Sequence, residues 1–128
     1  MAVLLLAPWG TRAAEPIASM RGERRVVVVS APGPRDGALD AQRRILAGWR
    51  EAAAARDVTV VEVVGGRVEG ADETADGVRR RYGMPEERFA IVLIGKDGHV
   101  ALRAGAPVSG AVLTDVIDAM PMRRAGLR

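Results

Sequence analysis

The sequence contains no cysteine. That absence excludes disulfides, thiolate nucleophiles and thiolate metal sites together. It says nothing about compartment, because a small domain with a good core needs no covalent staple. Aromatic residues make up only 3% of the chain, so the core must be built from Val, Leu, Ile, Ala and Met. His99 is the single histidine, which leaves no Ser-His-Asp set and no plausible zinc site. Lys96 is the single lysine, so the basic surplus behind the net charge of +3 is arginine. Those arginines are scattered, with no aromatics interleaved to stack bases, and a nucleic-acid face is not expected. No apolar run is long enough to span a bilayer, so no membrane span is expected either.

What the 128 residues do contain is enough for one domain with a real core. Residues 1–22 read as a signal peptide and leader. Met1 to Ala7 is apolar, Pro8-Trp9-Gly10 breaks the run, and Thr11 and Ala13 are the small residues before an acidic start at Glu15. The run is short and no positive charge precedes it, so a disordered or packed N-terminal tail is the alternative. Export, to the periplasm or outside a bacterial cell, is the expectation. Residues 23–124 read as the folded domain and 125–128 as a tail.

The organising stretch runs from Arg88 to Arg103. Phe89 to Ile94 is an unbroken apolar run, as expected of a strand covered on both faces. Gly95-Lys96-Asp97-Gly98 signals a tight turn, and 99–103 returns as an antiparallel partner. Two further strands are expected at 25–30 and 58–64, where valines cluster. Asp36 is a natural cap for a helix over 38–56, whose apolar stripe carries one polar residue, Gln42. Gly65, Gly66 and Gly70 suggest a loose loop. Helices over 72–82 and 109–119 follow, the first stopped by Gly83 and the second by Pro121.

The resulting order, β-α-β-α-β-β-α, predicts an α/β fold with a mixed four-stranded sheet. It is the thioredoxin-like order. The stretches Leu93-Ile94-Gly95-Lys96-Asp97-Gly98 and Asp118-Ala119-Met120-Pro121-Met122-Arg123, with Gln42 and the helix end at Arg56-Asp57, carry a resemblance to a known family. They resemble a bacterial family of domains of unknown function described as thioredoxin-like and peroxiredoxin-like. Related domains occur in secreted animal proteins, including sushi-repeat-containing proteins. The resemblance covers about residues 22–124. It implies fold and export, and brings no agreed activity and no cofactor.

Departures from true thioredoxins decide the chemistry. In those proteins the loop after the first strand carries two cysteines at a helix N-terminus, where the dipole lowers the thiol pKa. Here that loop is Ala31 to Gly37, with Pro34 and Gly37 at the cysteine places and Ala90 near the place of the cis-proline. Disulfide exchange and peroxide reduction are therefore not expected.

The fold order still brings three loops to one end of the sheet: 32–37, 84–89 and 103–108. The candidate ligand-binding residues at this corner are Arg35, Asp36, Gln42, Arg88 and Arg103. With the first helix N-terminus they would form an anion pocket. The plainer alternatives are a solvated arginine set, a helix cap at Asp36, and a buried amide at Gln42 satisfied by backbone. Asp36 and Asp40 serve the cap and dipole rather than a cation. Lys96-Asp97-Gly98 reads as turn chemistry, 79–81 as the wet face of a helix, and Met120 and Met122 as cover for the core. Two functions follow from different classes. One is a non-catalytic binding module whose partner is a small anion or another exported protein. The other is an enzyme acting on a small anionic substrate at this corner.

Overall fold

In the computed structural model, which describes residues 14–126, a run of valines makes the central strand. This is β1, Arg25–Ala31, buried along its whole length. It pairs in parallel with β2, Val58–Val64, and antiparallel with β4, Ala90–Ile94. β5, Val100–Ala104, returns antiparallel to β4, with Val92 opposite Arg103, as the turn signal at 95–98 predicts.

Among the described residues the sheet has five strands, not the four expected, in the order β3-β2-β1-β4-β5. The extra strand is β3, Arg67–Glu69, antiparallel to β2. Gly65-Gly66 is a two-residue hairpin turn rather than part of a loose loop, and Gly65 takes φ 57°. A positive φ at that position matches the twist of the flanking strands. At the far end of β3, Gly70 sits at φ 95°, where a Cβ would lie 2.5 Å from the Val60 carbonyl oxygen.

The single helix expected over 38–56 is two helices, α1, Gly37–Gly48, and α2, Arg50–Ala55. They are broken at Trp49, whose side chain is drawn toward α4, Gly110–Asp118. Its indole Nε1 donates to Thr114 Oγ1 at 2.9 Å, and a Cβ on Gly110 would meet the ring at 2.8 Å. The helix expected over 72–82 starts later, as α3, Ala75–Tyr82, because the Thr74 hydroxyl accepts from Gly77 N and caps it. Pro121 stops α4 and also opens α5, Pro121–Arg124, in the position where a missing N–H costs nothing.

Each face of the sheet buries its own apolar layer. Val27, Val29, Ile91 and Leu93 face Leu39 and Leu46 of α1 and Leu113 and Ile117 of α4. Val26, Val28, Val63 and Val92 face Val78 and Tyr82 of α3, together with Ile17 and Met20 from a short 3₁₀ turn, Ile17–Met20. The turn is tied down by Ile17 N, which donates to Glu73 Oε2 at 2.7 Å, and by Asp72 N, which donates to Glu15 O. The segment 17–20, which the sequence reading places in a leader, thus contributes to the core. The apolar run at 1–7 lies outside the described residues.

Candidate functional site

Strand register sets the corner anticipated from sequence. Ser30 lies opposite Ala90, Ile91 opposite Ala104, and Ala31 opposite Val64. The loops after β1 and β5, the loop before β4 and the 65–66 turn therefore share one end of the sheet.

Most polar side chains at this end are committed to the protein's own backbone. Asp36 Oδ1 accepts from Leu39 N at 2.9 Å and caps α1. Gln42 is completely buried. Its Nε2 donates to Val108 O at 2.9 Å, and Val108 N donates to its Oε1 at 2.8 Å. The amide thus acts as a peptide group, clamping the loop after β5 onto α1. Arg103 does not join Asp36 and Gln42 as expected: it stands on β5 opposite Val92, and its Nη1 donates to the carbonyl oxygens of Tyr82 and Gly83, holding the C-terminal end of α3. Carbonyls unpaired at a helix end are natural acceptors for such a donor. Arg35 and Arg88 are exposed, and no described residue bonds to either side chain.

A sixth residue belongs here that the sequence reading assigned to solvent. Arg79 is only 5% exposed. Its Nε donates to Ser30 Oγ at 2.9 Å, Nη1 to Gly65 O at 2.7 Å, and Nη2 to Ala31 O at 3.0 Å and Val63 O at 3.5 Å. The planar fork stitches the ends of β1 and β2 to the 65–66 turn. Every acceptor it meets among the described residues is neutral. A buried charge ordinarily has a carboxylate beside it; among the described residues none lies within ion-pair distance of Arg79. The signal was available: Arg79 lies four residues after Ala75 and three before Tyr82, on the inward stripe of α3. Only Arg80 and Arg81 face solvent, as the sequence suggests.

The opposite end of the sheet holds a second polar assembly. Lys96, 8% exposed, reaches Asp57 with Nζ 2.9 Å from Oδ2. Asp57 takes φ 55° between α2 and β2, a left-handed turn that aspartate tolerates. Arg25 is buried at the start of β1, where Nη1 donates to Arg56 O at 2.7 Å and Nε approaches Met120 Sδ at 3.3 Å. Burial lowers the Arg25 pKa, with a further lowering from Arg123, while Asp57 and Asp118 oppose the shift. Arg56 grips Asp118 with two bonds, of 3.1 and 3.0 Å, and holds its carboxyl below the usual range. Asp97 and Gly98 do serve the turn: Asp97 Oδ1 accepts from His99 N, which lowers the Asp97 pKa, and Gly98 takes φ 85°. Lys96 lies within that turn, which Gly98 N closes by donating to Gly95 O, but its side chain leaves the turn to form a largely buried ion pair with Asp57.

Among the described residues, two clefts flank this hairpin turn. One, of about 380 Å³, brings Gly95-Lys96-Asp97 against Met120-Pro121-Met122, so that the two stretches singled out in the sequence share a wall. Met120 packs against the core, while Met122 is exposed rather than covering it. The other, of about 470 Å³, opens between the 3₁₀ turn, α3 and β5, and has arginines at its rim. Among the described residues, no cluster of three or more His, Asp or Glu is arranged to hold a metal ion. No described helix is long and apolar enough to cross a membrane.

A family model described as "Domain of unknown function (DUF4174)" matches residues 16–126. The match takes in every described strand and helix, including the 3₁₀ turn at 17–20 and α5.

Proposed function

We propose, from the premise that this chain belongs to the DUF4174 family of domains of unknown function, that it is a non-catalytic binding module. The observation that carries this reading is the commitment of the corner's polar side chains. A general acid or base must reach its substrate within hydrogen-bond distance. Asp36, Gln42 and Arg79 instead have polar atoms on the protein's own backbone. The topology supports a thioredoxin-like reading of the fold, with parallel β1 and β2 joined through α1 and α2, a β4–β5 hairpin, and β3 as an added edge strand.

The ligand we assign to the corner is a small anion. Arg79 supplies a buried charge with neutral partners, the α1 N-terminus supplies partial positive charge, and Arg35 and Arg88 are the cations left facing water. A sulfate titration followed by amide shifts tests this. Shifts should gather at 33–38 and at Arg88. Removing one charge-assisted contact costs about 1.5–3 kcal/mol, or roughly tenfold to a hundredfold in affinity. Arg35→Ala and Arg88→Ala should each weaken binding by that factor, and Arg80→Ala should not. Shifts spread evenly over all arginines would reduce the effect to diffuse charge and sink the reading.

Export is proposed with it. Ile17 and Met20 are core residues, so any leader should end before them. Mass spectrometry of protein from its host should show the loss of about the first 13–15 residues. An intact Met1 on cytoplasmic protein would contradict export.

A further inference from the structure

We infer that the larger cleft beside the hairpin turn, at the end of the sheet away from the loop corner, binds an amphipathic carboxylate: an apolar body ending in one negative charge. The cleft has the size of a small-molecule site, about 470 Å³. Its floor is the edge of the apolar core, with Val26 and Ile94 from the sheet, the Tyr82 ring from α3, and Met20 from the 3₁₀ turn, all of them largely buried, while basic side chains line the rest. Val100, at 37% exposure on the edge strand β5, leaves part of that apolar surface in water. A purely ionic ligand would leave this floor unused.

The lining of the cleft is rich in basic side chains, with His99 beside three arginines, while the acids Glu73 and Asp97 pair with Arg81 and His99 from outside it. Arg21, Arg24 and Arg81 line the cleft, and no aspartate or glutamate does. Two of the three are fixed from behind. Arg24 donates from Nε to Thr59 Oγ1 and from Nη2 to Val58 O. Arg81 is tied to Glu73 at 3.3 Å and lies 5.7 Å above the Tyr82 ring. Arg21 differs. It is exposed, and its side chain lies across Gly98, where a Cβ would meet its Cδ at 3.3 Å. No described residue pairs with its guanidinium. Glycine at 98 lets the side chain lie flat over the turn, with its fork available to a carboxylate in two-bond geometry.

This site is separate from the anion corner, and neither depends on the other. Decanoate is the probe, with acetate and decanol as controls that carry only the charge or only the chain. NMR titration of the full chain should show saturable shifts of the Val26, Ile94 and Val100 methyls and of the Tyr82 ring. Acetate and decanol should each bind at least about tenfold more weakly than decanoate, since each lacks one of the two terms. Arg21→Ala and Val100→Asp change exposed positions and should keep the fold, checked by circular dichroism. Each should weaken decanoate at least about tenfold, while Arg80→Ala leaves it unchanged. Equal affinity for decanol, or full affinity in both variants, would overturn the proposal. So would shifts of the same groups that follow protein concentration instead of decanoate, which would assign the cleft to a second copy of the chain.

Discussion

Replacing Arg79 with methionine should lower the unfolding free energy by about 2–4 kcal/mol, because it leaves buried acceptors without a donor. Methionine fills much of the arginine's path but offers no N–H. Ser30 Oγ and Gly65 O lose the donor they meet at 2.9 and 2.7 Å. Ala31 O keeps one bond, from Gly65 N at 3.0 Å, so it suffers less. Removing the charge works the other way, since a desolvated cation with neutral partners is itself unfavourable. The bonds should win, because two separate chain segments, 30–31 and 63–65, converge on one guanidinium. Arg79→Lys keeps the charge but not the fork, and should recover little. Urea denaturation is the check: the midpoint should fall with an unchanged slope. An unchanged or higher midpoint would mean that burying the charge costs as much as its bonds return.

Gln42→Leu should cost a comparable amount, about 2–4 kcal/mol. Leucine is close in volume, so the change isolates the polar contribution. It strips both partners from the Val108 peptide, which the amide contacts at 2.9 and 2.8 Å in a buried setting. Each orphaned buried group costs about 1–3 kcal/mol. Val108 is 8% exposed, so water cannot replace the lost amide without opening the loop. If Gln42 served a ligand rather than the loop, the same change would leave the denaturation midpoint where it was.

The four long strands could be placed from sequence to within about a residue, because continuous valine and leucine runs have few alternatives. The fifth could not. Three residues, Arg67–Glu69, carry no periodicity, and a glycine pair reads equally as a loop or as a hairpin turn. The helix break at Trp49 depends on Thr114 and Gly110, some sixty residues away in the chain, and periodicity does not report such partners.

The site divides in the same way. Asp36 and Gln42 lie where local pattern places them, as a cap and as the odd polar residue on an apolar stripe. Arg79 is hidden in the sequence because three consecutive arginines look like a solvated face, yet a helix turns 100° per residue and only one of them can face the sheet. The ion pair of Lys96 is not legible from its turn, because its partner, Asp57, is 39 residues earlier. Both clefts are tertiary features of the hairpin end. Only the lone lysine and the paired stretches at 93–98 and 118–123 pointed toward that end at all.

The claim on which the functional reading stands is that the corner is a locked structural joint, with its polar side chains committed to backbone. Native-state hydrogen exchange at the Val108 amide tests it most directly. Val108 sits in a loop, where amides ordinarily exchange through small local openings. Clamped by Gln42, it should instead exchange as slowly as Val27 and Val92 in the central strands, and the protection should vanish in Gln42→Leu. Exchange of the wild-type Val108 amide at loop rates would show that the clamp is open in solution and Gln42 is free to meet a substrate.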